Sequence, residues 1–193
     1  ALPDAGDPVY RRELYADAVA ALHRAGEYDD ADEAYRAGAA EGGLPSALVG
    51  RGEGARLDLH GMSTAVAHAA VREGLAGLQE HTETRGRDVL IVTGRGLRSG
   101  ERLRPVLRPE VQRMLTEEFY PPLSTVSVPG NTGAVVVPGE DVMRWLEYAA
   151  EQKRRRMLAL ADAFREIASG RRIGRSLMKV LREDQPKKKD WRK

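Results

Sequence analysis

Leu57-Asp58-Leu59-His60-Gly61 reads as a short strand that ends in a turn. Side chains alternate along a strand, so Leu57 and Leu59 are expected to face a core, with Asp58 and His60 together on the opposite face. A carboxylate beside an imidazole at a strand end suits general acid/base work. The same alternation also describes a half-buried strand with a polar outer face. Gly61 lets the chain turn tightly, and Ser63 or Thr64 can cap the helix that follows.

Downstream, Val89-Leu90-Ile91-Val92 is an unbroken apolar run between Arg87-Asp88 and Gly94. Such a run suits a strand buried on both faces. It ends in a second glycine turn, Thr93-Gly94-Arg95-Gly96. Between the two strands, Ala67, Ala70, Val71, Gly74, Leu75 and Leu78 recur at helical spacing. The sum is a βαβ unit, whose parallel strands bring both turns to one sheet edge. Open α/β sheets bind ligands just outside the carboxyl ends of their strands.

The remaining pattern continues the unit: strand 55–60, helix 63–81, strand 88–93, an arginine loop, helix 109–118, then strands 124–128 and 133–137. Pro109 suits a first helical turn, and Pro121-Pro122 stops the helix. The loop holds Arg95, Arg98, Arg102, Arg104 and Arg108 against the single carboxylate of Glu101. Arginine's planar fork grips phosphate oxygens at two points and keeps its charge. A solvated loop whose arginines pair with helix glutamates fits the same residues. The glycine turns would add backbone N–H groups to a phosphate site.

LDLHG, IVTGRG, LRPEV and GNTGAVVV, in that order, resemble the small MutS-related (Smr) domain over about residues 55–147. The resemblance implies an α/β fold with a mixed βαβαββ sheet, like the C-terminal domain of translation initiation factor three. It also implies nucleic-acid binding, with nicking or RNA cleavage in some members.

Before this unit, Asp7-Pro8 opens a helix expected to carry Leu14, Ala18, Val19 and Leu22 inward and to stop near Ala25-Gly26. A second helix is expected from about Asp29, with Ala31, Ala34 and Tyr35 inside and Gly42 past its end. Tyr15, Ala25-Gly26, Ala31, Tyr35, Gly42 and Pro45 resemble the landmarks of one pentatricopeptide (PPR) motif. Ala16 stands where that family has a polar base-reading residue and offers no side-chain hydrogen bond. The pair at 1–45 therefore reads as a capping repeat. Residues 46–54 read as a flexible linker, 55–147 as the Smr domain, and 148–193 as a basic helical extension and tail.

In the extension, acids at Glu140-Asp141 favour a helix start. Val142, Trp145, Leu146 and Ala149 are expected on the sheet. Lys153-Arg154-Arg155-Arg156 and Leu158, Ala161, Phe164 and Ile167 follow, then Gly170 as a stop and a short helix at Ser176–Arg182. Lys187, Lys188 and Lys189 beside Trp191 can contact phosphates and stack on a base; a solvated tail is the plainer alternative. Charge is graded along the chain: residues 1–50 hold 4 basic and 10 acidic residues, 51–150 hold 12 and 13, and 151–193 hold 15 and 6. The net +2 thus conceals a basic end suited to nucleic acid.

There is no cysteine, so disulfides, thiolate metal sites and cysteine nucleophiles are excluded. His23, His60, His68 and His81 form no zinc pattern. No apolar run approaches the roughly 20 residues that span a bilayer, so a soluble chain without a membrane partner is expected. The start at Ala1 suggests a mature product or a portion of one.

Two functional expectations follow. One is an endoribonuclease or nicking activity with Asp58 and His60 catalytic, Asp58 orienting His60 or recruiting Mg or Mn. Thr93, Gly94, Arg95 and Gly96 would then hold the phosphate, with Arg95 and the Gly94 and Gly96 backbone countering its charge. Arg98, Arg102, Arg104, Arg108, Arg154, Arg155, Arg156, Lys187, Lys188 and Lys189 would add nucleic-acid contacts. The other is a non-catalytic component of an organellar ribosome or plastid transcription complex. Both carry RNA (mRNA or rRNA) as partner, and the PPR–Smr resemblance implies an organelle, chloroplast ahead of mitochondrion.

Overall fold

A computed structural model of the chain describes residues 7–49, 54–78, 86–95 and 106–169. It divides into two compact units, Ala1–Leu146 and Glu147–Lys193. In the first, helix α1 (Pro8–Ala25) starts at Asp7, whose carboxylate accepts the Val9 N–H at 2.9 Å, and ends at Gly26 in the left-handed conformation. Helix α2 (Tyr28–Ala40) packs beside it. Val19, Ala31 and Tyr35 are buried. Leu14, expected inward, is 53% exposed. Its neighbour Tyr15 turns to the core instead, and its ring lies where side chains on Gly38 and Gly43 would collide with it.

The Tyr35 hydroxyl donates to the Pro45 carbonyl and accepts the Ala47 N–H, both at 2.9 Å. That anchor leads the chain into a two-residue strand β1 (Leu48–Val49), inside the stretch expected to be a flexible linker. Tyr35 restrains the backbone, and strand pairing takes up its polar groups. β1 runs antiparallel to β2 (Ala55–Asp58), which runs parallel to β3 (Val89–Val92) across helix α3 (Thr64–Leu78). Helix α4 (Leu107–Glu117), strand β4 (Val126–Val128) and strand β5 (Asn131–Val137) follow. Among the described residues five strands lie in the order β1-β2-β3-β5-β4, one more than the four-strand expectation, with β5 antiparallel to both neighbours.

Helices α3 and α4 share a core with one sheet face, through Leu57, Ile91, Val135 and Val137. The opposite face stays more open, and this corrects the expectation for β3: Val89 and Ile91 are buried, but Leu90 and Val92 only half so. The helix pair is tied to α3 by charge. Arg72 donates from Nε to both Asp32 oxygens (2.9 and 2.7 Å) and from Nη1 to Glu118 (3.3 Å), and stacks on Tyr28. Arg36 grips Glu73 at two points, 2.9 and 2.7 Å.

Helix α5 (Gly139–Ala168) begins against the foot of β3, where the Gly139 N–H donates to Asp88 at 2.8 Å. Val142 and Leu146 enter the core, and Trp145 meets Phe119 edge-on. Ala149 falls in the second unit. There Leu158 and Phe164 are exposed. No helix among the described residues is long and apolar enough to cross a membrane. Gly170 and the expected helix at Ser176–Arg182 lie outside the described residues.

Candidate nucleic-acid and catalytic site

Parallel pairing aligns Asp58 with Val92, and the Leu59 N–H donates to the Val92 carbonyl at 2.8 Å, one residue past the end of β2. Leu57 and Leu59 are fully buried, so Asp58 and His60 share the other face. Gly61, with φ of 75°, turns the chain, and in the first turn of α3 the Ser63 carbonyl accepts the Ala67 N–H and its hydroxyl the Val66 N–H.

Asp58 Oδ1 accepts from His60 Nδ1 at 2.6 Å and from the His60 backbone N–H at 3.2 Å, while Oδ2 accepts from Arg56 Nη2 at 3.0 Å. Partial burial favours the neutral acid. The two His60 hydrogen bonds and then the His60 and Arg56 charges outweigh it and hold the Asp58 carboxyl below its ordinary range. An ionised carboxylate has no proton to give, so Nδ1 is the donor, which leaves Nε2 as the ring nitrogen that can take up or release a proton. The His60 side chain is 74% exposed, against 19% for Asp58. This is an oriented imidazole at the surface.

The Thr93-Gly94 turn abuts it. A side chain on Gly94 would meet His60 Cβ at 3.6 Å, and Gly94 holds φ of 76°. The third glycine step closes from β5. The Gly133 carbonyl accepts the Thr93 N–H (2.8 Å), the Gly94 N–H (3.0 Å) and the Thr93 hydroxyl (3.2 Å). A Cβ on Gly133 would press on Gly94 and Arg95 at 3.0–3.2 Å. The three glycine motifs are therefore linked in series: Gly94 abuts His60, and the Gly133 carbonyl holds the Thr93-Gly94 turn.

That closure corrects two expected phosphate contacts. Thr93 is 5% exposed, and its donors, like the Gly94 N–H, are taken by Gly133. Both residues shape the turn instead. Arg108 is likewise engaged, donating to the Thr132 carbonyl at 2.9 Å and the Ser127 hydroxyl at 2.7 Å, which ties α4 to the β4–β5 hairpin. Arg95 is exposed beside Gly94. Gly96, Arg98, Arg102, Arg104, Lys187, Lys188 and Lys189 lie outside the described residues. In the second unit, Arg154 and Arg155 both pair with Glu151, whose carboxyl they pull down to about 2, and Arg156 is exposed.

Two features escaped sequence reading. Arg56 stands two residues before Asp58, and the alternation that places His60 on that face places Arg56 there too. His23 and His68, far apart in sequence, meet at 3.2 Å between Nε2 and Nδ1. Burial, the neighbouring His23 and the Arg72 charge push His68 down to about 4, so the pair is neutral at physiological pH.

A metal at Asp58 would compete with hydrogen bonds that its carboxylate already makes. Both Asp58 oxygens carry N–H donors, one from a cation, and among the described residues no three His, Asp or Glu side chains are placed to hold a metal. Residues 57–138 match the family described as Smr domain. No curated protein matches the chain.

Proposed function

Because residues 57–138 are an Smr domain, a domain of nuclease or RNA-binding type, we propose that the chain binds single-stranded RNA at the strand-end face and cleaves it there. The observation that carries this reading is the 2.6 Å contact from His60 Nδ1 to Asp58 on a ring that is otherwise open to solvent. Asp58 fixes the tautomer and stabilises the imidazolium that forms.

RNA carries its own nucleophile, the 2′-hydroxyl, so the proposed step needs no activated water. His60 Nε2 takes the proton of the 2′-hydroxyl, and the 2′ oxygen bonds to phosphorus. The bond to the 5′ oxygen breaks, and that oxygen takes a proton from solvent. The products are a 2′,3′-cyclic phosphate and a 5′-hydroxyl end. Arg95 offers charge to the phosphate.

In the same proposal, likeness to one PPR motif makes the helix pair a capping element and the chain a component of organellar gene expression, in chloroplasts ahead of mitochondria. Its RNA would be mRNA or rRNA within a large ribonucleoprotein or transcription assembly.

A cleavage assay in EDTA tests the chemistry. His60→Ala is expected to slow cleavage by roughly 10²–10⁴-fold while RNA affinity holds. An intact chain that binds RNA and never cleaves it would leave the scaffold reading in place of the nuclease.

A further inference from the structure

We propose that Arg56 is a phosphate-binding residue of this site, an inference that rests on reading the strand-end face as an RNA site. Arg56 and Asp58 project from one strand onto the same open face. One guanidinium nitrogen, Nη2, holds Asp58 Oδ2 at 3.0 Å, and the side chain is 49% exposed. A guanidinium has five N–H donors in a planar fork, so one hydrogen bond to Asp58 leaves the group able to meet a phosphate oxygen.

Electrostatics gives the residue its purpose. Asp58 must stay ionised to orient His60, yet an ionised carboxylate repels the phosphate that His60 has to reach. Arg56 cancels that charge at its source and presents a cation to the incoming strand. Arg95, next to the glycine that abuts His60, supplies a second.

The test is salt-dependent binding of a labelled, single-stranded oligoribonucleotide to the full chain, its Arg56→Ala variant and its Arg56→Lys variant, with circular dichroism to check folding. Each phosphate contact to single-stranded nucleic acid contributes about 0.7 to the slope of log affinity against log salt. Arg56→Ala is expected to weaken binding about tenfold at low salt and to lower the slope by that amount. Arg56→Lys, which keeps the charge, is expected to keep the slope while losing part of the affinity. Equal slopes for folded Arg56→Ala and wild type, with RNA bound by both, would overturn the assignment of Arg56 alone. No binding by wild type would overturn the RNA site itself and Arg56 with it.

Discussion

Gly74 and Gly77 lie in the same helix, yet adding one methyl to each should shift stability in opposite directions. At Gly74, a Cβ would fall closer than 3.0 Å to Leu57 Cδ2, with Cδ1 at 3.3 Å and Cγ at 3.5 Å. Leu57 is fully buried in the strand that carries Asp58, so it has little room to yield. Overpacking of this kind costs about 1–3 kcal/mol, and the gain in helix propensity from glycine to alanine returns about 0.5–1. Gly74→Ala should therefore lose about 1 kcal/mol. At Gly77 the nearest atom is Leu48 Cδ2 at 3.8 Å, an ordinary contact, so only the propensity gain remains, about 0.5 kcal/mol near a helix end. Urea unfolding of the full chain, followed by Trp145 fluorescence, measures both. Trimming Leu57 to valine should cost less in the Gly74→Ala background than alone, because the two changes share one space. Equal stabilisation by the two alanines would refute the packing of α3 on β2.

Two further outcomes follow from charge. His23 and His68 both have pKa values below the usual histidine value in the fold, His68 at about 4, so the unfolded chain binds more protons at acid pH. Their contribution is fully present above about pH 6.5 and is lost as pH falls toward 4. His68→Leu should flatten the stability–pH curve in that window, and an unchanged curve would contradict the buried pair. Replacing Lys153, Arg154, Arg155 and Arg156 together by glutamine should flatten the salt dependence of RNA binding if the second unit contributes phosphate contacts; an unaltered slope would remove it from the interface.

The pairing of Asp58 with His60 was legible because strand alternation is a local rule: burying Leu57 and Leu59 leaves no other face for them. Arg56 was legible by the same rule but lacked a motif to draw attention to it. The fate of the Thr93 and Gly94 donors was not legible. It depends on β5 returning antiparallel to β3, a pairing across some forty residues that puts the Gly133 carbonyl under the turn. The half-open side of β3 follows from α3 and α4 packing on the face of Val89 and Ile91, which an apolar run cannot reveal. Leu14 gave way to Tyr15 because Gly38 and Gly43 on and just beyond α2 make room for a ring, a tertiary fit invisible to helical periodicity. The strand at Leu48–Val49 was hidden among small residues, since the Tyr35 hydroxyl that anchors it lies in another element.

The most direct test is a titration of the full chain with a 2′-deoxy-substituted, uncleavable analogue of single-stranded RNA, followed by amide chemical shifts. If one face binds and cuts RNA, the largest changes should fall on Arg56, Asp58, His60, Gly61, Gly94 and Arg95. Shifts confined to other elements, with these six amides unmoved at saturation, would contradict the account.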